Sequence, residues 1–246
     1  MPRFFAPSDN FTENEIRITG DDAFHIARAL RMAVGDSVTV CDMHGVEYGC
    51  TLTRIRDEEC VCQINSRCEG KTESPVFISL YMAYPKGDKL EVVVQKAVEL
   101  GASEIVPFES SRCIRKAKPE KAEREGARLS KIAEEAAKQC GRSRLVKVLS
   151  PLSYTEAVKR AAEADAMLFC YEGDGAQSLK KVFSTFNDNN IKTVSVVVGS
   201  EGGFSQNEVE AARALGARIV NLGPRILRCE TAPSYVLSAI SYHFEL

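Results

Sequence analysis

Apolar and polar positions recur with two different periods along this chain, and the change of period divides it. Ser37–Asp42 and Val46–Arg56 alternate apolar with polar residues on either side of Asp42-Met43-His44-Gly45, which predicts a β-hairpin. Glu15–Thr19 and Cys60–Asn65 add two shorter strands. One helix interrupts them, with Asp21 placed to cap it and Phe24, Ala27, Arg28 and Arg31 at helical spacing. Short strands with a single helix predict a small barrel-like module. The polar stretch from Ser66 to Pro75, with Gly70 inside it, predicts the boundary.

Beyond Pro75 strands and helices take turns. Val76–Ala83 predicts a strand; Asp88 with Glu91 then opens a helix whose buried stripe is Leu90, Val93, Val94, Ala97 and Val98, ended by Gly101. Glu104–Phe108 is the next strand, followed by a long helix over Pro119–Cys140 and a strand over Leu145–Leu149. Ser153 with Glu156 opens another helix. Strands at Ala166–Tyr171, Thr193–Val198 and Ala217–Leu222 follow, with helices at Ser178–Phe186 and Gln206–Leu215 between them and a last one over Pro233–Phe244. This alternation predicts an α/β domain with a mainly parallel sheet.

Charge and composition change the picture only locally. The formal net charge is −2, yet residues 1–70 hold 7 Lys/Arg against 12 Asp/Glu and residues 71–150 hold 16 against 11. Arg112 to Lys147 alone carries 12 basic and 5 acidic residues. Such a field attracts phosphate backbones, and it equally suits a solvated helix face. Nine cysteines, an odd number without a C-x-x-C pair, read as reduced thiols, and His25, His44 and His243 stand at no zinc-ligand spacing, so no metal is expected. No apolar run approaches the roughly 20 residues of a membrane span, and no signal-peptide layout opens the chain, so a cytoplasmic protein is expected.

Ligands of open α/β sheets bind beyond the carboxyl ends of the strands. Three such loops stand out: Tyr171-Glu-Gly-Asp-Gly-Ala-Gln177, Gly199-Ser-Glu-Gly-Gly-Phe-Ser205 and Leu222-Gly-Pro-Arg-Ile-Leu-Arg-Cys-Glu-Thr-Ala232. Gly199, Gly202 and Gly203 permit positive φ and close approach of a ligand, while Ser205 and Glu208 form a capping box behind them. Neither the dinucleotide fingerprint nor the P-loop pattern is present. In the third loop Ile226 and Leu227 are either core plugs or the walls of an apolar slot for a ring such as adenine, flanked by Arg225 and Arg228. Cys229 has no His near it in sequence and reads as packing.

The second and third loops together resemble the paired signature of the RsmE family, bacterial small-subunit rRNA uridine-N3 methyltransferases of the SPOUT superfamily. Lys86-Gly-Asp-Lys89 running to Gln95-Lys-Ala-Val-Glu-Leu-Gly101, and Glu135–Arg142, are similar to the family's central blocks. Pro2-Arg-Phe-Phe5 and His25 to Arg31 resemble its RNA-binding module. The resemblance spans essentially the whole chain, with two departures: Ser200 stands where the family usually has Pro, and Cys229 where Thr is common.

That resemblance implies a PUA-like RNA-binding β-barrel over residues 1–72 and a SPOUT (α/β knot) methyltransferase domain over residues 73–246, closed by a C-terminal trefoil knot. It implies S-adenosyl-L-methionine as cofactor, bound by Tyr171, Glu172, Gly199, Glu201, Gly202, Gly203, Leu222, Gly223, Ile226, Leu227, Arg228, Thr231 and Ala232. It also implies a homodimer, and 16S rRNA of the small ribosomal subunit as partner and substrate. The sulfonium methyl is already activated, so transfer needs alignment, while uracil N3 must lose its proton. Arg228 is the candidate for stabilising the resulting anion and Glu201 or Glu230 for accepting the proton; Arg228 gripping phosphate and the carboxylates pairing with cations remain alternatives. For RNA the candidates are Arg3, Arg28, Arg31, Lys86, Arg112, Arg115 and Arg142. A SPOUT enzyme acting on another RNA, a Rossmann-type nucleotide enzyme and a non-catalytic ribosome-assembly factor are the competing readings.

Overall fold

The computed structural model describes residues 1–115, 119–186 and 190–246, and only the backbone of 119–121. The chain divides into two compact units, one of Met1–Glu73 with Ala137–Leu145, the other of Ser74–Ala136 with Val146–Leu246.

In the first unit β1 (Arg3–Phe5), β2 (Glu15–Thr19), β3 (Ser37–Cys41), β4 (Val46–Ile55) and β5 (Glu59–Glu69) form a sheet in the order β1-β3-β4-β5-β2. All pairs are antiparallel except β1 with β3. The alternation seen in sequence places Ile16, Ile18, Val38, Val40, Leu52, Cys60 and Cys62 on one face, around which the sheet curls. Register shifts at Gly49/Cys50 and Leu52/Arg54 add the local twist that such curling needs. The hairpin turn is as expected: Asp42 Oδ1 accepts from the N–H groups of His44 and Val46, and Met43 and Gly45 take positive φ.

Two expectations fail in this unit. The helix, α1 (Asp21–Phe24), starts after Gly20 at φ 65 with no side-chain cap from Asp21, and it passes into a π-helical turn over His25–Ala29. Its buried residues are Ala23 and Ile26, while Phe24 is 56% exposed. The strand expected over Cys60–Asn65 is also longer, because β5 continues through Ser66–Glu69, paired with Val46–Gly49.

In the second unit come β6 (Phe77–Ala83), α2 (Lys89–Glu99), β7 (Glu104–Glu109), α3 (Pro119–Cys140), β8 (Lys147–Val148), β9 (Leu152–Ser153), α4 (Tyr154–Ala161), β10 (Ala166–Cys170), β11 (Gln177–Ser178), α5 (Leu179–Phe183), β12 (Thr193–Val198), α6 (Gln206–Ala214), β13 (Arg218–Asn221) and α7 (Thr231–Phe244). The last residues of α3 belong to the first unit. The sheet runs β11-β13-β10-β12-β6-β7-β8 with every pair parallel, and β9 adds to β7. The β-branched run of β12 follows from its central place, since a parallel strand covered on both faces needs no polar side.

Helix α2 buries the stripe Leu90, Val93, Val94, Ala97 and Val98, each larger member worth roughly 1.5–3 kcal/mol of transfer. The capping boxes of Ser153 with Glu156 and Ser205 with Glu208 are both formed. That of Asp88 is not: its side chain makes no cap, and its carbonyl accepts from Glu91 N–H instead. Because β12, β10 and β13 are adjacent and parallel, the loops that leave them emerge at one end of the sheet.

Candidate active site

The three loops enclose a cleft of about 560 Å³. One wall is the end of β10 and the chain that leaves it, with Cys170, Tyr171 and Glu172; the next is the Gly199–Phe204 turn; the third is Leu222 with Ile226 to Cys229, closed by Ala232 of α7. Val198, Leu222, Ile226, Leu227 and Ala232 give it apolar surface, and Lys89, Arg112, Glu201 and Arg228 give it charge. This mixture of apolar walls with a few polar groups suits a nucleoside-bearing ligand.

The Gly199 turn is fixed from below by Phe204, which is fully buried against Phe169, their ring centroids 4.3 Å apart. Gly203 N–H donates to the Ser200 carbonyl at 2.9 Å and closes the turn. The three glycines act differently from the expectation. Only Gly203 takes positive φ, at +63°. A Cβ on Gly199 would come within 3.1 Å of the Gly203 backbone and the Phe204 ring, and one on Gly202 within 3.0 Å of the Arg112 carbonyl. Those two glycines let parts of the protein approach each other.

Behind the turn Glu208 does more than cap α6. Its carboxylate accepts from Ser205 N–H and, at 2.7 and 2.8 Å, from the N–H and hydroxyl of Ser111. Burial alone would raise its carboxyl, but these bonds hold it below the usual range. The tie sets the neighbouring Arg112, whose guanidinium donates to Gly202 O at 3.2 Å. Arg112, expected at RNA, thus stands on the cleft wall.

Lys89, at the start of α2, links two of the loops. Its Nζ lies 2.9 Å from Glu201 Oε1 and 3.2 Å from Glu230 Oε2. Glu201 also accepts from Lys86 N–H at 3.1 Å. Burial would raise both carboxyls; hydrogen bonds from Lys89 and nearby donors outweigh it and leave both lowered. Either group can therefore take a proton only by loosening its hold on Lys89. The sequence marks Lys89 only by the recurrence of lysine in Lys86-Gly-Asp-Lys89, which carries no sign of this link.

Arg228 is exposed on the cleft wall, and its guanidinium makes no ion pair among the described residues. Its carbonyl accepts from Thr231 and Ala232 N–H, so the residue also starts α7. Cys229 is buried, with its thiol pushed up to about 12 by burial and by Glu230, which suits packing rather than nucleophilic attack. Among the other expected cofactor residues, Gly223 lines an adjoining recess with Arg225 and Ile226, and Thr231 opens α7 without lining the cleft.

The arginines expected at RNA separate into two groups. In the first unit Arg142 is buried and bonded to Glu73 at 2.6 Å, and Arg3 is paired with Glu47 at 2.9 Å and donates to the Arg142 carbonyl. These two guanidiniums are committed to internal structure and do not present an open face to a phosphate. Arg28 is exposed, paired with Asp57. Arg31 is exposed, at φ 53. In the second unit Arg115 pairs with Glu125 at 2.6 Å and packs over Tyr84, while the Lys86 side chain is exposed.

Comparison with known proteins agrees with this geometry. Residues 72–241 match the model of the RNA methyltransferase domain, and residues 18–65 that of the RNA methyltransferase PUA domain. Ribosomal RNA small subunit methyltransferase E of Bacillus subtilis is 36% identical over 231 residues, covering 93% of this chain and 90% of its own. The protein of that name from Synechocystis is 28% identical over 97% of this chain and 77% of its own. The crystal structure of the Neisseria gonorrhoeae ribosomal RNA small subunit methyltransferase E, bound to S-adenosyl methionine, superposes with a TM-score of 0.87 at 29% identity, covering 98% of this chain and 97% of that one. With an α/β domain carrying a parallel sheet, a PUA-type module and this cleft, the chain belongs to the ribosomal RNA small subunit methyltransferase E family.

Proposed function

We propose that this enzyme transfers a methyl group from S-adenosyl-L-methionine to N3 of uridine 1498 in the 16S rRNA of the small ribosomal subunit. The observation that carries the proposal is the Arg228 guanidinium, without an ion pair among the described residues, on a cleft where Glu201 is already bound to Lys89, as is Glu230 next to the cleft. The residues fit the cofactor: the slot of Leu222, Ile226, Leu227 and Ala232 suits adenine, and Tyr171, Glu172 and the Gly199–Gly203 turn supply polar edges. When bound, the cofactor supplies an activated methyl group.

The protein's own residues do the rest by position and charge. Arg228 faces the developing negative charge on the uracil and lowers the hold of N3 on its proton. Glu201 and Glu230, held ionised by Lys89, are weak proton acceptors and serve first to keep the two loops in register. Catalysis rests on stabilising the uracil anion more than on a strong base.

Arg28 and Arg31 of the first unit and Lys86 and Arg112 of the second are the proposed RNA contacts. A homodimer is part of the same reading, supported by Tyr235 and Tyr242, one heptad apart on α7, and Val92 on α2, all exposed. The knot belongs to it too, supported by α7 packing on α2 and β12. Among the described residues no helix is long and apolar enough to cross a membrane, in keeping with action in the cytoplasm.

The test is to incubate the protein with labelled S-adenosylmethionine and small subunits lacking the modification, digest the rRNA and identify the nucleoside by mass spectrometry. N3-methyluridine at a single site is expected. Methyl transfer to a different position or RNA would redirect the substrate assignment, and no transfer to subunits or naked rRNA would overturn it.

A further inference from the structure

A second cavity, of about 440 Å³, opens beyond the carboxyl ends of β6 and β8, and among the described residues it shares no wall with the cleft. Pro107, Leu129, Leu149 and Pro151 give it apolar surface, with Tyr84 and Gly126 among them. Tyr84 is 2% exposed, and its hydroxyl makes no hydrogen bond to a described residue. The hydroxyls of Ser74 and Ser200 are sealed from water without a partner; that of Tyr84 is not sealed, and it opens on the cavity that the residue lines. Burial and the nearby Glu125 push it up, so the phenol keeps its proton and can donate. Gly126 is the second observation. It stands inside α3, where alanine would give a more stable helix. A Cβ there would meet no described atom within 4 Å, and its backbone is not left-handed, so neither packing nor a turn asks for glycine. What glycine keeps open at this position is the cavity.

The lining also says what the occupant is. It holds no Lys or Arg among the described residues, but two carboxylates, Glu123 and Glu125. Glu125 is held by Arg115, whereas Glu123 is exposed and makes no ion pair among the described residues. Such a wall repels phosphate and accepts N–H donors carried on a flat apolar body, the chemistry of a nucleobase with an amino group. Tyr84 stands two residues before Lys86, whose N–H is bound to Glu201 on the cleft wall, so at most about 7 Å of chain separates the two. Single-stranded RNA is read by splaying unstacked bases into pockets of this kind. We propose that the cavity binds the base of a nucleotide flanking the one in the cleft, an amino-bearing base that donates to Glu123 while the Tyr84 hydroxyl bonds another of its polar edges. The proposal rests on the reading of the cleft as an RNA methylation site, and it gives that site a second point of substrate choice.

The experiment measures methyl transfer to small subunits lacking the modification, S-adenosylmethionine affinity by calorimetry and thermal melting, for wild type, Tyr84→Phe, Gly126→Ala and Gly126→Leu. Tyr84→Phe is expected to raise KM for subunits by about fivefold to tenfold, the size of one lost hydrogen bond, with melting and cofactor affinity as in wild type. Gly126→Ala should melt about 2–4 °C higher. Gly126→Leu, which fills the cavity, should raise KM for subunits by about tenfold or more while still folding and binding cofactor. Subunits with uridine in place of each flanking nucleotide then identify the base: at one position wild type should lose about tenfold in kcat/KM, and Gly126→Leu should be indifferent to the change. Unchanged KM in both Tyr84→Phe and Gly126→Leu overturns the proposal, and so does equal sensitivity of wild type and Gly126→Leu to the flanking bases. A lower melting temperature in Tyr84→Phe also overturns it, by revealing a partner for the hydroxyl within the protein. A wild type that methylates no subunit overturns the methylation reading itself, whereas normal transfer with indifferent variants removes only the cavity's role.

Discussion

The first unit and the cleft of the second treat their charged side chains in opposite ways, although elsewhere in the second unit Arg115, Arg128 and Arg160 meet carboxylates too. In the first, Arg3, Arg28, Arg54 and Arg142 each meet a carboxylate, and Lys138 meets Asp22 at 2.7 Å. At the cleft of the second the arrangement is inverted: Lys89 satisfies Glu201 on its wall and Glu230 beside it, and the Arg228 guanidinium has no ion pair among the described residues. A buried charge must be paired or it destabilises the fold, whereas a charge meant for a ligand must be left without an internal partner. The contrast teaches that the basic content of a segment says little about RNA until the partner of each residue is known. Arg142 and Arg228 are both arginines in family motifs, and their surroundings give them different work.

Removing one residue from each side should give the sharpest separation. Arg228→Ala is expected to reduce methyl transfer by about 10²–10³-fold, the range seen when a preorganised charge-stabilising donor is deleted. Its melting temperature should stay at that of the wild type, since none of the described residues forms an ion pair with the side chain. Single-turnover rates at saturating cofactor check this. A loss below tenfold would move Arg228 from anion stabilisation to phosphate binding.

Arg142→Ala should do the converse and cost about 3 kcal/mol in urea unfolding, because it leaves the half-buried Glu73 carboxylate without its guanidinium. The turnover of the remaining folded protein should not change. Burial would raise Glu73, but Arg142 and the N–H groups of Ser143 and Arg144 hold it below its ordinary value. Its stabilising contribution is therefore complete above the unfolded carboxyl value of about 4.3 and is lost as pH falls through the lower folded one. In Arg142→Ala this acid-dependent part should shrink, as unfolding curves at pH 3 to 6 would show.

How much of this was legible beforehand follows from the range of each interaction. The strand Thr193–Val198 and the helix Pro119–Cys140 have the same limits in structure as in the sequence reading, because burial on both faces and a long amphipathic run are local patterns. The inward face of α1 was not legible: four helical residues followed by a π-helical turn are too few to reveal their phase, and Gly20 rather than Asp21 sets the start. Strand β5 was cut short because Ser66-Arg-Cys-Glu69 has no apolar alternation, being exposed throughout. The three glycine-rich loops could be picked out by composition. The Lys89 link could not, since it joins residues 112 positions apart in the chain. The commitment of Arg142 to Glu73 escaped for the same reason, at a separation of 69.

The Lys89 link can be broken directly. Lys89→Met keeps the length of the side chain and removes the charge, so Glu201 and Glu230 lose the donor they share and repel each other. Cofactor affinity is expected to fall by about tenfold as the two loops lose their common anchor. Both carboxyls are lowered in the wild type, so in the variant they rise, and any limb of the pH–rate profile that requires them ionised moves to higher pH. Lys89→Arg should restore part of the affinity. An unshifted acid limb together with normal affinity would reduce the link to surface decoration.

The smallest effect probes the boundary between the two treatments, at the exposed pair Arg28–Asp57. Asp57 is lowered chiefly by its hydrogen bonds to Arg28, yet both side chains remain largely in water, where such pairs add little to stability. Asp57→Asn should therefore leave the melting temperature unchanged while releasing the guanidinium. If Arg28 faces phosphate, RNA affinity should rise by about twofold at low salt, and the slope of log K against log salt should steepen by somewhat less than one. Arg31→Ala should change that slope by a similar amount in the opposite sense. Arg142→Ala, compared at a temperature where it is fully folded, should not move it at all, because its charge is already neutralised inside the first unit. Equal slopes for all three variants would mean that the first unit reads RNA by shape and stacking, with none of these arginines on a phosphate.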